Sequence, residues 1–139
     1  MSIVQGPSQK QLSNLLELYQ SGHLNDAEKL AVSLTKDFPR HPFGWKALGA
    51  IFKAKGRKSE AVGANRKAVE LSAQDAETYN NLGVTLQELG RLDEAEASSR
   101  QAIALNPDYA EAHSNLGNIL REIGGLDKAE ASYNQAIVL

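Results

Sequence analysis

The sequence predicts an all-α fold, a solenoid of stacked helix pairs, on three observations. Residues 79–96, YNNLGVTLQELGRLDEAE, return 34 residues later as HSNLGNILREIGGLDKAE, with ten of eighteen positions identical. The same shift of 34 aligns the whole chain: Gly22, Gly56, Gly90 and Gly124 share one column, and Ala27, Ala61, Ala95 and Ala129 another. Within a unit the apolar residues keep helical spacing, as Tyr79, Leu82, Gly83 and Leu86 do at i, i+3, i+4 and i+7. A fixed period of this size marks supersecondary units that bury their apolar faces only against one another.

Four units follow a short tail at 1–7: 8–41, 42–75, 76–109 and 110–139, together one domain. The spacing predicts eight helices, near 9–21, 25–37, 43–55, 59–71, 76–89, 93–105, 109–123 and 127–139, and no sheet. In the third unit Leu89 and Gly90 end the first helix, the glycine being free to adopt a left-handed C-terminal cap. Asp93 with Glu96 reads as a D-x-x-E capping box for the second helix. Asn25 with Glu28, Asp108 with Glu111 and Asp127 with Glu130 read the same way. Ser8 with Gln11 fits an S-x-x-Q start, and Pro42 suits a first helical turn. The second helix of the third unit stops before Asn106-Pro107.

Small and large residues predict how the helices meet. Gly49, Gly83 and Gly117 each cost about 1 kcal/mol of helix propensity relative to alanine, which is expected where a second backbone comes close. The alanines at 61, 95 and 129, and at 68, 102 and 136, are expected to face them. Trp45, Leu48, Phe52, Leu82, Leu86, Leu116, Leu120 and Tyr133 fill the wider gaps. Asn65 and Ser99 stand at the equivalent of Tyr133, which predicts looser packing there. In the first unit the apolar face moves to Leu12, Leu15, Leu16 and Tyr19.

Composition excludes several functions. Apolar residues at 42% and charged residues at 23% suit a soluble chain with a core. No apolar run approaches the roughly 18–20 residues that span a bilayer, and MSIVQGPSQK has no secretory pattern. The expected location is the cytoplasm. The absence of cysteine removes disulfides, thiolate ligands and thiol catalysis. His23, His41 and His113 fall in unrelated places, without metal-ligand spacing, and His113 occupies the column of buried aromatics. No Gly-rich phosphate loop occurs. No catalytic residue, metal or cofactor is therefore expected. Net charge is −2 but uneven: residues 1–70 carry eleven Lys/Arg against six Asp/Glu, and residues 71–139 four against eleven. Lys53, Lys55, Arg57 and Lys58 read as a solvated run near a helix C-terminus. Nucleic-acid binding would want interleaved aromatics, and the acidic half would repel phosphate.

Trp45-x-x-Leu48-Gly49-x-x-Phe52 with Ala61 and Ala68 resembles the tetratricopeptide repeat. Tyr79, Leu82, Gly83, Leu86, Ala95, Ala102 and Pro107 match it again, and His113, Leu116, Gly117, Leu120, Ala129, Tyr133 and Ala136 a third time. The first unit departs, with Gln11, Asn14 and Leu15 in place of an aromatic, Leu and Gly, and Ala73 stands where Pro39 and Pro107 do. The resemblance implies antiparallel helix pairs stacked into a right-handed superhelix. It also implies a concave groove lined by the first helix of each pair, binding peptides or proteins rather than doing chemistry.

The groove face expected beside the buried face comprises Lys46, Ala47, Ala50, Lys53 and Ala54 in the second unit. In the third it comprises Asn80, Asn81, Val84, Gln87 and Glu88, and in the fourth Ser114, Asn115, Asn118, Arg121 and Glu122. An amide offers both a donor and an acceptor, so Asn81 and Asn115 suit gripping a peptide backbone, while asparagine is also simply tolerated in such grooves. Their column resembles the asparagine ladder in the tetratricopeptide region of O-linked N-acetylglucosamine transferases. Ala47 and Ser13 interrupt it. The expected function is a peptide-binding scaffold; the alternative is the substrate-recruiting portion of a glycosyltransferase. Lys46 and Lys53 make the surface basic at the second unit, with Glu77, Glu88, Glu111 and Glu122 acidic beyond, which predicts a bound segment with its acidic part near the second unit. The last unit stops at Ile137-Val138-Leu139, inside its second helix. That pattern predicts a longer parent protein, and self-association to cover the apolar edge.

Overall fold

The structure is a computed structural model that describes residues 6–124 and 126–139, the side chains of 126–129 excepted. The described residues form eight helices and no strand: α1 (Gln9–Gln20), α2 (Leu24–Asp37), α3 (Pro42–Ala54), α4 (Lys58–Leu71), α5 (Ala76–Glu88), α6 (Leu92–Leu105), α7 (Ala110–Ile123) and α8 (Leu126–Val138). This is the all-α, helix-pair solenoid class expected from the period. Each boundary falls within one residue of its expected place. The helices gather into two compact units, one ending at Ser72 and one beginning at Ala73. In the first, α1 packs on α2, α2 on α3 and α3 on α4; in the second, α5 packs on α6, α6 on α7, α7 on α8, and α5 also meets α7.

The turn inside each pair is built from one glycine. Gly22, Gly56, Gly90 and Gly124 have φ of 79°, 77°, 77° and 98°, the left-handed region that costs a side chain strain. The Gly90 amide donates to the Gln87 carbonyl at 2.9 Å and the Arg91 amide to the Leu86 carbonyl at 2.9 Å, the two bonds of a Schellman cap. Gly22 with His23 and Gly56 with Arg57 repeat the arrangement. In these three pairs the residue after the glycine then serves two helices. Its amide closes the first, and its carbonyl accepts the first bond of the second, as in Ala95 N–H to Arg91 at 3.0 Å.

This double use corrects the capping boxes. The caps of α2, α4 and α6 are His23, Arg57 and Arg91, none with a side-chain cap bond. Asn25 and Asp93 therefore lie one step inside their helices. The cap of α7 is Tyr109, so Asp108 precedes it and caps nothing. The box expected at Asp127 and Glu130 lies outside the described side chains. Two starts follow expectation. Ser8 Oγ accepts from the Gln11 amide at 3.1 Å while Gln11 Oε1 accepts from the Ser8 amide at 2.8 Å, and Pro42 opens α3. Asp75 caps α5 through the Thr78 amide at 3.1 Å.

The helices of a pair cross at the glycines, against a different column from the one expected. A Cβ built on Gly49 would lie 2.0 Å from Asn65 Oδ1, on Gly83 2.7 Å from Ser99 Oγ, and on Gly117 2.9 Å from the Tyr133 ring. The facing residues are thus Asn65, Ser99 and Tyr133, and Asn65 and Ser99 are buried rather than loosely packed. Ala61, Ala68, Ala95 and Ala102 are buried beside the crossing; of these Ala95 reaches Gly83 through its backbone carbonyl. Leu48, Leu82, Leu86, Leu116 and Leu120 are buried as expected, while Trp45, Phe52, Tyr133 and His113 stay half-buried. Trp45 Nε1 donates to the Pro39 carbonyl at 3.0 Å and His113 Nε2 to the Pro107 carbonyl at 2.9 Å, two periods apart. In α1 only Leu15 is buried; Leu12 is half-buried, and Leu16 and Tyr19 are exposed. The expected apolar face of the first unit is therefore closed at Leu15 and open at the other three. Ala47 and Ala50, opposite them on α3, are too short to reach across.

Gly83→Leu is expected to destabilise by about 1–3 kcal/mol, since the wider side chain meets the Ser99 backbone as well as its hydroxyl. Gly63→Ala, where nothing lies within 4 Å, is expected to stabilise by up to about 1 kcal/mol through helix propensity. Urea midpoints measure both; an unmoved midpoint for Gly83→Leu would show that the crossing is slack.

Candidate interaction surface

In the second unit the expected surface residues are largely engaged with one another. Asn80 is 1% exposed, so it is an interior residue rather than a groove residue. Its Oδ1 accepts from Asn115 Nδ2 at 3.0 Å, joining α5 to α7. Gln87 Nε2 donates to Glu122 Oε1 at 2.6 Å, a second bridge between the same helices two turns on. Asn118 Oδ1 accepts from the Tyr133 hydroxyl, and the Arg121 guanidinium lies 5.9 Å from the centre of the Tyr133 ring. Asn81, Val84 and Ser114 are half-exposed, and Glu88 is exposed. The Asn81 carbonyl accepts from Thr85 Oγ1 at 2.9 Å. At the start of these helices the Tyr109 hydroxyl has its pKa pushed up, first by burial and then by the carboxylates of Glu111 and Glu77.

The first unit is different. Between α1 and α3 lies an open hollow of about 320 Å³ whose walls include Leu12, Leu16, Tyr19, Phe43, Ala47 and Ala50. Lys46 also lines it; Lys53 lies one helical turn beyond Ala50, half-exposed. Of the residues expected at the second unit of the repeat, the structure thus brings Lys46, Ala47 and Ala50 to one cavity. The walls contributed by α1 were missed, because the apolar pattern of α1 reads as core. Leu12, Leu16 and Tyr19 share the hollow with Ala47 and Ala50 of α3.

The basic run does not form a free patch. Lys55 Nζ donates to Glu28 Oε1 and to Asn25 Oδ1, both at 2.7 Å, and Arg57 reaches Glu28 at 2.8 Å and Glu60 at 2.6 Å. The Arg57 guanidinium also stacks 4.6 Å from the Phe52 ring centre. Glu28 comes from α2 and its partners from the turn between α3 and α4, so the cluster ties the first pair to the second. The Lys55 hydrogen bond is the main cause that holds the Glu28 carboxyl below its ordinary value of 4.5; burial opposes it and Arg57 adds to it. Arg57 holds Glu60 low in the same way. Among the described residues no group of three or more metal-ligating side chains gathers, and no helix is long and apolar enough to cross a membrane.

Two family models, each described as tetratricopeptide repeat, match residues 14–76 and 74–137, so that together they take in most of the chain. No curated protein matches in sequence. Among solved structures, the chain is similar to MamA, at a TM-score of 0.87 and 21% identity over 91% of this chain and 74% of that one. MamA from Desulfovibrio magneticus RS-1 gives 0.86 and 19% over 93% and 73%, and an AMB-1 MamA gives 0.83 and 23% over 93% and 70%. At these identities the likeness concerns the fold.

The Glu28 cluster predicts a pH dependence. A carboxyl whose folded pKa is depressed adds stability above its unfolded value, here about 4.5, and loses it as the pH falls through the lower folded value. The melting temperature is expected to hold steady above about pH 5 and to fall below that. Glu28→Gln should lower it at neutral pH and flatten the acid slope; parallel acid profiles for the two proteins would remove Glu28 from the account.

Proposed function

The chain belongs to the tetratricopeptide-repeat family, and from that premise we propose that it is a protein-interaction scaffold whose first-helix faces hold an extended segment of a partner. No step of chemistry is assigned to it. The observation that carries this reading is the half-exposed face of the first helices, where Asn81, Val84, Ser114 and Asn118 in one unit, and Lys46, Ala50 and Lys53 in the other, follow one another at helical spacing. Amides and short side chains of this kind suit a peptide backbone. The first unit's excess of cations favours acidic segments, through association more than through raw affinity.

The alternative, a portion that recruits substrates to a glycosyltransferase, rests on Asn81 and Asn115. The Asn115 amide donates to Asn80 at 3.0 Å, so half of that two-rung ladder is already used within the protein. The scaffold is accordingly preferred. Cytoplasmic location is part of the same proposal. So is self-association through α8, where Ile137 and Val138 are 80% and 74% exposed.

Two measurements test this reading. An acidic peptide is expected to bind in low salt, to weaken as salt screens the charges, and to weaken further on Lys46→Glu or Lys53→Glu. Equal affinity for a basic peptide of the same length would reject the electrostatic preference. Light scattering over a concentration series is expected to show a rising mass that Ile137→Ser with Val138→Ser returns to one chain; a constant monomer mass rejects the α8 contact.

A further inference from the structure

Two asparagines on one face of α7 are held from behind, by opposite ends of their amides. Asn115 donates through Nδ2 to Asn80 Oδ1 at 3.0 Å, while Asn118 accepts through Oδ1 from the Tyr133 hydroxyl. Both asparagines are half-exposed, whereas Asn80 is 1% exposed. Each amide keeps the complementary group. Asn115 keeps its carbonyl oxygen and Asn118 its NH2; neither group has a partner among the described residues, and neither is buried. The two residues stand one turn apart, about 4.5 Å along the helix. An asparagine free to turn offers donor and acceptor in either order. Here the internal bonds fix the order, acceptor first and donor one turn on.

The residues behind them are otherwise hard to account for. Asn80 gains nothing for itself by being polar, since its Nδ2 is buried without a partner among the described residues, a cost that an apolar side chain of the same shape escapes. The Tyr133 ring fills the space at Gly117, a task that needs no hydroxyl. We propose that Asn80 and Tyr133 are positioning residues, which turn Asn115 and Asn118 into an oriented acceptor–donor pair for one residue of an extended partner backbone. The proposal rests on the peptide-binding reading above and adds the polarity of the contact. Asn115 Oδ1 takes the backbone N–H, and Asn118 Nδ2 gives a hydrogen bond to the C=O of the same residue. Extended backbone presents both groups of a residue on one edge, as the paired residues of an antiparallel ladder do. Since N–H precedes C=O along a chain, the fixed order selects one of the two directions in which the segment could lie.

Dodecapeptides selected against the full chain from a random display library serve as probes, with affinities read by fluorescence anisotropy. N-methylation, one peptide bond at a time, removes a donor; a thioamide at one bond weakens an acceptor. One N-methyl group and one thioamide, on the same residue of the peptide, are each expected to cost about three- to ten-fold in affinity. The N-methyl penalty should vanish in Asn115→Ala and in Asn80→Leu, and return in Asn80→Asp, which keeps the acceptor. The thioamide penalty should vanish in Asn118→Ala and shrink in Tyr133→Phe, which keeps the ring against Gly117. Circular dichroism checks the helices of every variant, and if Asn80→Leu unfolds, Tyr133→Phe decides. Penalties that persist in the folded Asn80 and Tyr133 variants, a uniform loss across all peptides, or penalties on distant residues overturn the orientation, while peptide binding keeps the scaffold reading. If no peptide is enriched, both fail.

Discussion

Three of the four helix pairs, α3 with α4, α5 with α6 and α7 with α8, close at a glycine whose missing Cβ is filled by the opposing helix. The three crossings are not equivalent. At Gly117 the three atoms nearest a hypothetical Cβ all belong to the Tyr133 ring, and at Gly49 to the Asn65 amide. At Gly83 they include the Ala95 carbonyl at 3.3 Å and the Ser99 amide nitrogen at 3.4 Å. As the facing side chain shrinks from tyrosine to serine, the opposing backbone comes into reach. The closeness has a cost, since Ser99 Oγ is buried with no hydrogen-bond partner among the described residues. Such a group typically costs about 1–3 kcal/mol. The residues that surround the crossings, chiefly alanines and leucines, inherit their burial from this spacing.

The second constraint is the shared residue after the turn glycines Gly22, Gly56 and Gly90. One residue closes a helix with its amide and opens the next with its carbonyl, so no room remains for a separate N-cap. The period and the turn glycines were legible in the sequence because both are sterically exacting. The caps were not, because Asp93 with Glu96 has the spacing of a capping box whether it sits at the helix start or one step inside it. The structure uses the inner placement. Arg91, the actual cap, turns to Glu94 at 2.5 Å, and Arg57 to Glu60 at 2.6 Å. Asp93, which looked like a cap, instead lies in the first turn of α6, where negative charge suits the helix dipole.

The surface was less legible than the fold, for a geometric reason. Neighbouring positions on a helix are separated by about 100°, so Asn80 and Asn81 point to different surroundings although both looked like groove residues. Asn80 is interior and Asn81 half-exposed. A period of 34 aligns Asn81 with Asn115, yet the bond forms between Asn80 and Asn115, 35 apart, and Gln87 meets Glu122 at the same offset. Adjacent helices touch through the flanks they turn toward each other, not through equivalent residues. A repeat therefore reveals columns of like residues, while the rungs between columns depend on how each helix is rotated.

Those rungs show why a chain of near-identical units need not have a uniform surface. Between α5 and α7 two polar pairs bridge the helices, Asn115 to Asn80 and Gln87 to Glu122, although Asn80 Nδ2 stays buried without a partner among the described residues. Between α1 and α3 the facing side chains are one large and one small, and they do not meet. The α1 helix is nevertheless anchored by Leu15 in the core shared with α2 and α3. The hollow thus lies beside a packed core rather than within it. Leu12 and Ala47 stand where Asn80 and Asn115 do, so that rung has no polar bridge between α1 and α3, while the crossing at Gly49 is kept.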